Sequence, residues 1–406
     1  GMGSAESGSP VHQTSLWYRK YGREGRVTLT SSVTAASGAV DTAGSTTLTD
    51  DSLLAMPADP RTTPDPVQDP SQGGAAAPWP PLAATAVGSM PGTDVREATT
   101  IVVGELDVPH LVELPARGPG ADMVGRTAAL LAAVSGDLAV GTTPTGWRLA
   151  SAPGRETRRA AAFLREDLDA LEELAEGYTG PLTLPLAGPW TLAASVELAS
   201  GEPLLRDPGA VRELAAALAE AAALHVREVS RRLPGAAVSL QLDEPMLPAV
   251  LAGAVPTASG WSRVRPQEPP LVAQTLARVT AAVVEAGGRP VLHCCADRPP
   301  YEVLLACGAR ALSIDLRRHA DRDDDATGEA LDAGVALVLG VVPSTGDPAG
   351  LRRSGVADSV DAVERWRHRL GLDLDEVAPL LAVSPTCGLA GASPEYARAP
   401  HARSTS

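Results

Sequence analysis

The sequence predicts a single (β/α)8 barrel of the TIM type, with a disordered tail ahead of it. Three observations lead there. Eight short apolar runs are spread over the chain from Pro80 onward. Long Ala/Leu/Glu/Arg stretches with helix start and stop signals lie between them. No Gly-rich phosphate loop follows the first run, as an open doubly wound sheet would favour.

The runs are AATAVG from Ala83, HLVEL from His110, LTLPLA from Leu182, VSLQL from Val238, PVLHC from Pro290, ALSID from Ala311, VALVLGVV from Val335 and LLAVS from Leu380. Each is short and none alternates cleanly along its whole length, which suits strands covered on both faces of a parallel sheet. Among the helical stretches, DPGAVRELAAALAEAAALHVREVSRRL is the clearest. Asp207 is a good N-cap, Pro208 fits the first helical position, and Arg231 and Arg232 sit where the helix dipole favours cations. RRAAAFLREDLDALEELAEG and LVAQTLARVTAAVVEAGG end in glycine, a helix stop; SVDAVERWRHRL is the fourth. Strands alternating with helices over this length fit a barrel of roughly 250 residues plus insertions.

Residues 1–75 read differently. Stretches such as TLTSSVTAASGAVDTAGSTTLTDDS are rich in Ser, Thr, Gly and Asp and bury too little apolar surface to offset their ordering entropy. The expected division is a mostly disordered tail over 1–75 and a barrel over 76–406. The formal net charge of −15 argues against a nucleic-acid partner, because phosphate binding needs a basic surface. No apolar run approaches the length of a membrane span and no charged-then-apolar leader opens the chain, so a cytoplasmic protein without a membrane partner is expected. Four cysteines in 406 residues make no disulfide framework.

In a barrel the chemistry sits where strands end. The first run ends in AVGSMPGTD with Ser89, the second in VELPARG with Glu113 and Arg117, the fourth in QLDEPML with Asp243 and Glu244. The fifth ends in LHCCA, the sixth in SIDLRR with Asp315, and the eighth in SPTCGLAG with Cys387. Three of the four cysteines and an adjacent histidine thus fall on one rim. Alternate residues of a strand face the same way, so His293 and Cys295 point to one side and Cys294 to the other. One imidazole nitrogen, two thiolates and the Asp315 carboxylate form a mixed donor set that suits zinc. Blander readings stand beside this one. Cysteine is often a small buried hydrophobe, as expected for Cys307 in YEVLLACGARA; DEP can be a turn; Ser89 can cap a helix.

From Ala83 to Arg398 the chain resembles the catalytic domain of the cobalamin-independent methionine synthase family, in the uroporphyrinogen decarboxylase-like superfamily. AVGSMPGTD, LAGPWTLAA, LQLDEPML, VLHCCA, LSIDL and SPTCGL stand in the family's order. The resemblance implies a zinc site of His293, Cys295, Asp315 and Cys387, with aspartate where the family usually has glutamate. It implies that Val87, Gly88, Ser89, Glu113 and Asp243 bind the amino-acid part of homocysteine. It also implies methyl transfer to the homocysteine thiol, with no catalytic residue beyond the zinc site. Three departures concern the methyl donor. Residues 1–75 are too few for the family's additional N-terminal barrel. Ser195 and Ala249 stand where a stacking tryptophan and a folate-contacting glutamate belong. An Asp-x-His motif is missing from VLGVVPSTGDP. The donor is therefore left open between methyl-tetrahydrofolate and a methylated corrinoid protein. Methyl transfer from a corrinoid to another thiol such as coenzyme M, the decarboxylase reaction itself, and a degenerate zinc-binding barrel are the competing readings.

Overall fold

The structure is a computed structural model that describes residues 79–144, 146–346 and 357–398. The predicted tail, and with it the expected domain boundary near residue 76, lies outside the described residues. The strands are β1 (Ala83–Ala84), β2 (Val140–Thr143), β3 (Gly146–Leu149), β4 (Pro181–Ala187), β5 (Val196–Glu197), β6 (Ala237–Asp243), β7 (Arg289–Cys294), β8 (Ala311–Asp315), β9 (Ala336–Val342) and β10 (Leu381–Pro385).

Seven of them form one parallel sheet in the order β1-β10-β9-β8-β7-β6-β4. Residues 108–113 run between its two edges. Val108 N–H donates to the Ala84 carbonyl at 3.0 Å, and Leu111 N–H donates to the Thr183 carbonyl at 2.9 Å. Val108 pairs with Thr85, His110 with Thr183 and Glu113 with Ser89. This segment overlaps the predicted second strand, HLVEL from His110, and it closes the sheet into a TIM-type barrel. It makes separate bridges rather than a continuous ladder. Pro109 interrupts it and has no N–H to donate.

All four predicted helices are present, as Arg155–Leu174, Pro208–Arg232, Pro269–Glu285 and Ala357–Leu370. The capping at Asp207 is as expected: its carboxylate accepts from Gly209 N–H at 2.8 Å and Ala210 N–H at 3.1 Å. Further helices, among them Val95–Glu105, Met123–Val134 and Asp324–Asp332, were not singled out by the sequence pattern. Nor was a small second sheet, ordered β2-β3-β5, whose strands come from the connections on either side of β4. No helix among the described residues is long and apolar enough to cross a membrane.

The strands sort their side chains by parity. Along β6, Val238, Leu240 and Leu242 join the large core cluster under the helices. Ser239, Gln241 and Asp243 alternate with them and are buried too, on the inner face. The inside is filled low down by small residues from many strands at once: Ala83, Val108, Val291, Ala311, Ala336, Val338 and Ala382 pack together with Trp79. Higher up the lining turns polar, and the candidate functional residues stand there.

Candidate metal centre

Strand register sets three polar groups in a row. Asp243 of β6 is level with His293 of β7, and His293 is level with Ser313 of β8. All three are buried on the inner face. Cys294, the neighbour of His293, faces the other way into the helix-packed core, as the strand period requires. Cys295 follows at the strand end.

Among the described residues, His293, Cys295 and Cys387 bring one donor atom each to within 4.8 Å of one another. Cys387 reaches them from the end of β10, with β9 and β8 intervening in the sheet, so the group spans the barrel mouth. The Cys295 and Cys387 sulfurs are 3.1 Å apart. The contact between them drives the two thiols apart, Cys295 above its ordinary range and Cys387 below it. His293 Nδ1 is held 2.9 Å from the Ser313 hydroxyl. That contact leaves Nε2, which is buried and has no hydrogen-bond partner. A fixed imidazole with one open nitrogen beside two sulfurs is the arrangement a tetrahedral thiophilic cation needs, and zinc is the ion that fits nitrogen–sulfur sets of this kind.

Asp315 is not brought into this group. Its carboxylate accepts from Arg317 N–H at 2.9 Å and from Arg318 Nε at 3.1 Å. Arg317 and Arg318 lie two and three residues past the end of β8, so the strand end closes on its own turn.

The residues expected to hold an amino acid do converge beside the sulfurs. Ser89 packs against the residue that follows Cys387: a Cβ placed on Gly388 would fall 2.1 Å from the Ser89 hydroxyl oxygen. Leu389 N–H donates to the Ser89 carbonyl at 2.8 Å. Gly88 has a φ of +144°, and a Cβ there would meet Pro185 Cγ at 2.8 Å and the Glu113 carboxylate at 3.9 Å. The glycine thus lets the 87–89 turn press against β4 beside the buried Glu113 carboxylate. Gln241, missed in the sequence reading, ties the two sides together: its Nε2 donates to the Val87 carbonyl at 2.7 Å and to Asp243 Oδ1 at 2.8 Å. Burial pushes the Asp243 carboxyl up to about 7, against the pull of His293 and Gln241. Burial pushes Glu113 up to about 8, and Arg126 is the strongest influence opposing it. Two buried carboxyls this reluctant to ionise suit a cationic partner.

The acidic pair in QLDEP separates by role. Asp243 faces the pocket. Glu244, 0% exposed, instead accepts from Trp190 N–H at 2.9 Å, Thr191 N–H at 2.8 Å and the Thr191 hydroxyl at 2.7 Å, capping the helix Pro189–Ser195. Trp190 itself is fully buried, with Nε1 donating to the Val272 carbonyl at 3.2 Å, so it offers no face to a ligand. Arg117 turns away as well, donating to Asp167 at 2.6 and 2.8 Å. Cys307 packs in the core, as expected.

In fold the chain is similar to a B12-independent methionine synthase from Shewanella sp. W3-18-1, solved with selenomethionine, at 13% identity and a TM-score of 0.49 over 80% of this chain and 96% of that one. It is also similar to 2,3-dimethylmalate lyase, a member of the PEP mutase/isocitrate lyase superfamily, at 11% identity and a TM-score of 0.33 over 76% of this chain and 78% of that one. Comparison with curated protein sequences gave no match. A family model described as the cobalamin-independent synthase catalytic domain matches residues 82–402, which include every strand of the barrel and both corners of the pocket, and the chain belongs to that family.

Proposed function

We propose that the protein is a zinc-dependent methyltransferase that converts homocysteine to methionine. The observation that carries this is the open donor set: His293 Nε2, buried and unbonded, beside the paired sulfurs of Cys295 and Cys387. These three residues would hold the zinc and leave a coordination position for a thiol. Bound there, zinc supplies a lowered thiol pKa, so that the acceptor reacts as thiolate near neutral pH. The chain's own groups do the rest. Ser313 fixes the imidazole of His293 and leaves its second nitrogen facing the sulfurs. Gln241 holds the Asp243 carboxylate against the Val87 turn. Asp243 and Glu113 receive the amino group of the substrate, and Gly88 leaves room for its backbone-like end. The substrate sulfur is thereby aimed at the incoming methyl group. One carbon–sulfur bond forms as the donor's bond to methyl breaks, and the thiol proton passes to solvent.

Methyl-tetrahydrofolate is the donor that membership in a cobalamin-independent family favours. The corrinoid alternative gains no support from that match. The test is zinc content by elemental analysis, with methionine formation from homocysteine and methyl-tetrahydrofolate measured in parallel. The parent should carry about one zinc per chain and form methionine; Cys387→Ser should lose most of both. Freshly reduced parent protein without zinc would overturn the reading. So would a zinc-loaded parent that transfers no methyl to homocysteine.

A further inference from the structure

A chain of alternating charges runs behind the amino-acid corner of the pocket. Arg126 lies on the helix Met123–Val134 and is 1% exposed. Its Nη1 donates to Asp167, and its Nε stands 3.5 Å from Glu113 Oε1. Asp167, itself fully buried, is held from its other side by Arg117, whose guanidinium stacks over the Phe163 ring at 4.5 Å. Two guanidiniums and two carboxylates therefore alternate along Arg117–Asp167–Arg126–Glu113, and Arg117 also donates to the exposed Glu166 at 3.3 Å.

Such a chain is a costly way to hold a barrel together. Well-packed apolar side chains of similar volume stabilise as well or better than buried ion pairs. The chain is also incomplete at one end. Asp167 is saturated with donors, yet Arg126 Nε and Nη2 and Glu113 Oε1 have no hydrogen-bond partner. At 3.5 Å the Arg126–Glu113 contact is one of charge rather than a full hydrogen bond. Glu113 is therefore steadied without being used up. Its backbone is pinned as well, with Glu113 N–H donating to the Gly88 carbonyl at 3.1 Å and Met90 N–H donating to the Glu113 carbonyl at 2.8 Å.

We infer that Arg126 is a positioning residue for the amino group of the thiol substrate, holding the Glu113 carboxyl in place beside Gly88 and Ser89. This rests on the homocysteine pocket proposed above. Asp243, held by Gln241, is the second carboxylate of this corner. A substrate ammonium neutralises it while lying between both carboxylates. A thiol without an amino group leaves both carboxylates without that donor. Arg126 thereby acts on which thiol is chosen.

The test is calorimetric binding of homocysteine and of mercaptobutyrate, which is homocysteine without its amino group, to the zinc-loaded full chain. The parent should prefer homocysteine. Arg126→Met should lose about tenfold or more of that preference, the worth of one charge-assisted hydrogen bond, and Arg126→Lys should keep part of it. A purely structural arginine would weaken both ligands alike, so an unchanged ratio in Arg126→Met overturns the inference. If Arg126→Met does not fold, Glu113→Gln, equal in shape, carries the same readout, and an unchanged ratio there overturns it equally. A parent that binds both thiols without preference sinks the amino-acid pocket itself, and the role of Arg126 with it. That outcome is recognisable because it appears before any substitution is made.

Discussion

Glu244 and His293 stand on neighbouring strand ends, joined by Glu244 N–H donating to the His293 carbonyl at 2.8 Å. They are buried alike, at 0% and 3% exposure. Their surroundings differ in one respect. Both Glu244 oxygens are spoken for by Trp190 and Thr191, and a Cβ on Gly188 would lie 2.4 Å from Oε1, so there is no space for a ligand. His293 has one nitrogen anchored on Ser313 and the other left bare beside two sulfurs. Both are polar groups that desolvation penalises, but only one has its penalty offset within the fold. The contrast teaches that a saturated buried polar group is holding structure, whereas an unsaturated one among other unsaturated donors is waiting for something.

The contrast can be broken most forcefully at Glu244. Glu244→Ala would leave two N–H groups and one hydroxyl without their acceptor, at a cost of about 4 kcal/mol. The midpoint of urea unfolding should fall accordingly, while the fraction that remains folded still binds about one zinc per chain. If the variant unfolded at the parent's urea concentration but lost its zinc, Glu244 would belong to the metal site and the division of labour proposed here would be wrong.

His225 sharpens the criterion, because its Nε2 is also buried and unbonded. It stands on the helix Pro208–Arg232 and, among the described residues, belongs to no group of metal-ligating side chains. Lack of a partner alone therefore does not mark a site; convergence does. What His225 does affect is stability. Burial, helped by Arg126, pushes its folded-state pKa down to about 4 from 6.5. The folded chain thus refuses a proton that the unfolded chain accepts. Stability is fully present above about pH 6.5 and is lost as pH falls toward 4, by up to about 3 kcal/mol. Denaturant titrations across that range should show a steeper acid loss for the parent than for His225→Asn. Parallel curves would mean that the imidazole finds a proton-accepting partner in the folded state.

How far the sequence revealed this depends on the kind of signal each residue left. The eight barrel segments were legible because buried strands leave short, largely apolar runs, and the segment around Pro109 departs furthest from a regular strand. The sheet of β2, β3 and β5 was not, since strands of two to four residues such as VGTT and GWRL show too little period. Val95–Glu105 hid behind its β-branched run TTIVV. In the pocket, cysteine and histidine stood out by rarity and strand parity placed them. Gln241 and Ser313 lie at even spacing from Asp243 and Asp315 and share the inner face, so the same parity argument applied to QLD and SID would have found them. Arg126 carried a signal as well, a lone cation in the apolar stretch MVGRTAALLAAV, but its partners come from segments far off in sequence and no local pattern names them.

Asp315 is where motif and geometry part, and the smallest expected effect decides between them. By position it matches the acidic ligand that the family resemblance implies. In the fold it spends its oxygens on Arg317 and Arg318, and Arg318 is in turn drawn to Asp297. The Arg318 side chain is half exposed, so the pair is screened by water and its loss should cost no more than about 0.5 kcal/mol. Asp315→Asn should accordingly keep about one zinc per chain, bound by His293, Cys295 and Cys387 with an exchangeable fourth position. Elemental analysis after dialysis against a weak chelator reads this directly. Retention of zinc leaves the fourth position to the substrate thiol. Loss of zinc would mean that the carboxylate leaves Arg318 to bind the metal, and that a thiol must displace it before the chemistry can begin.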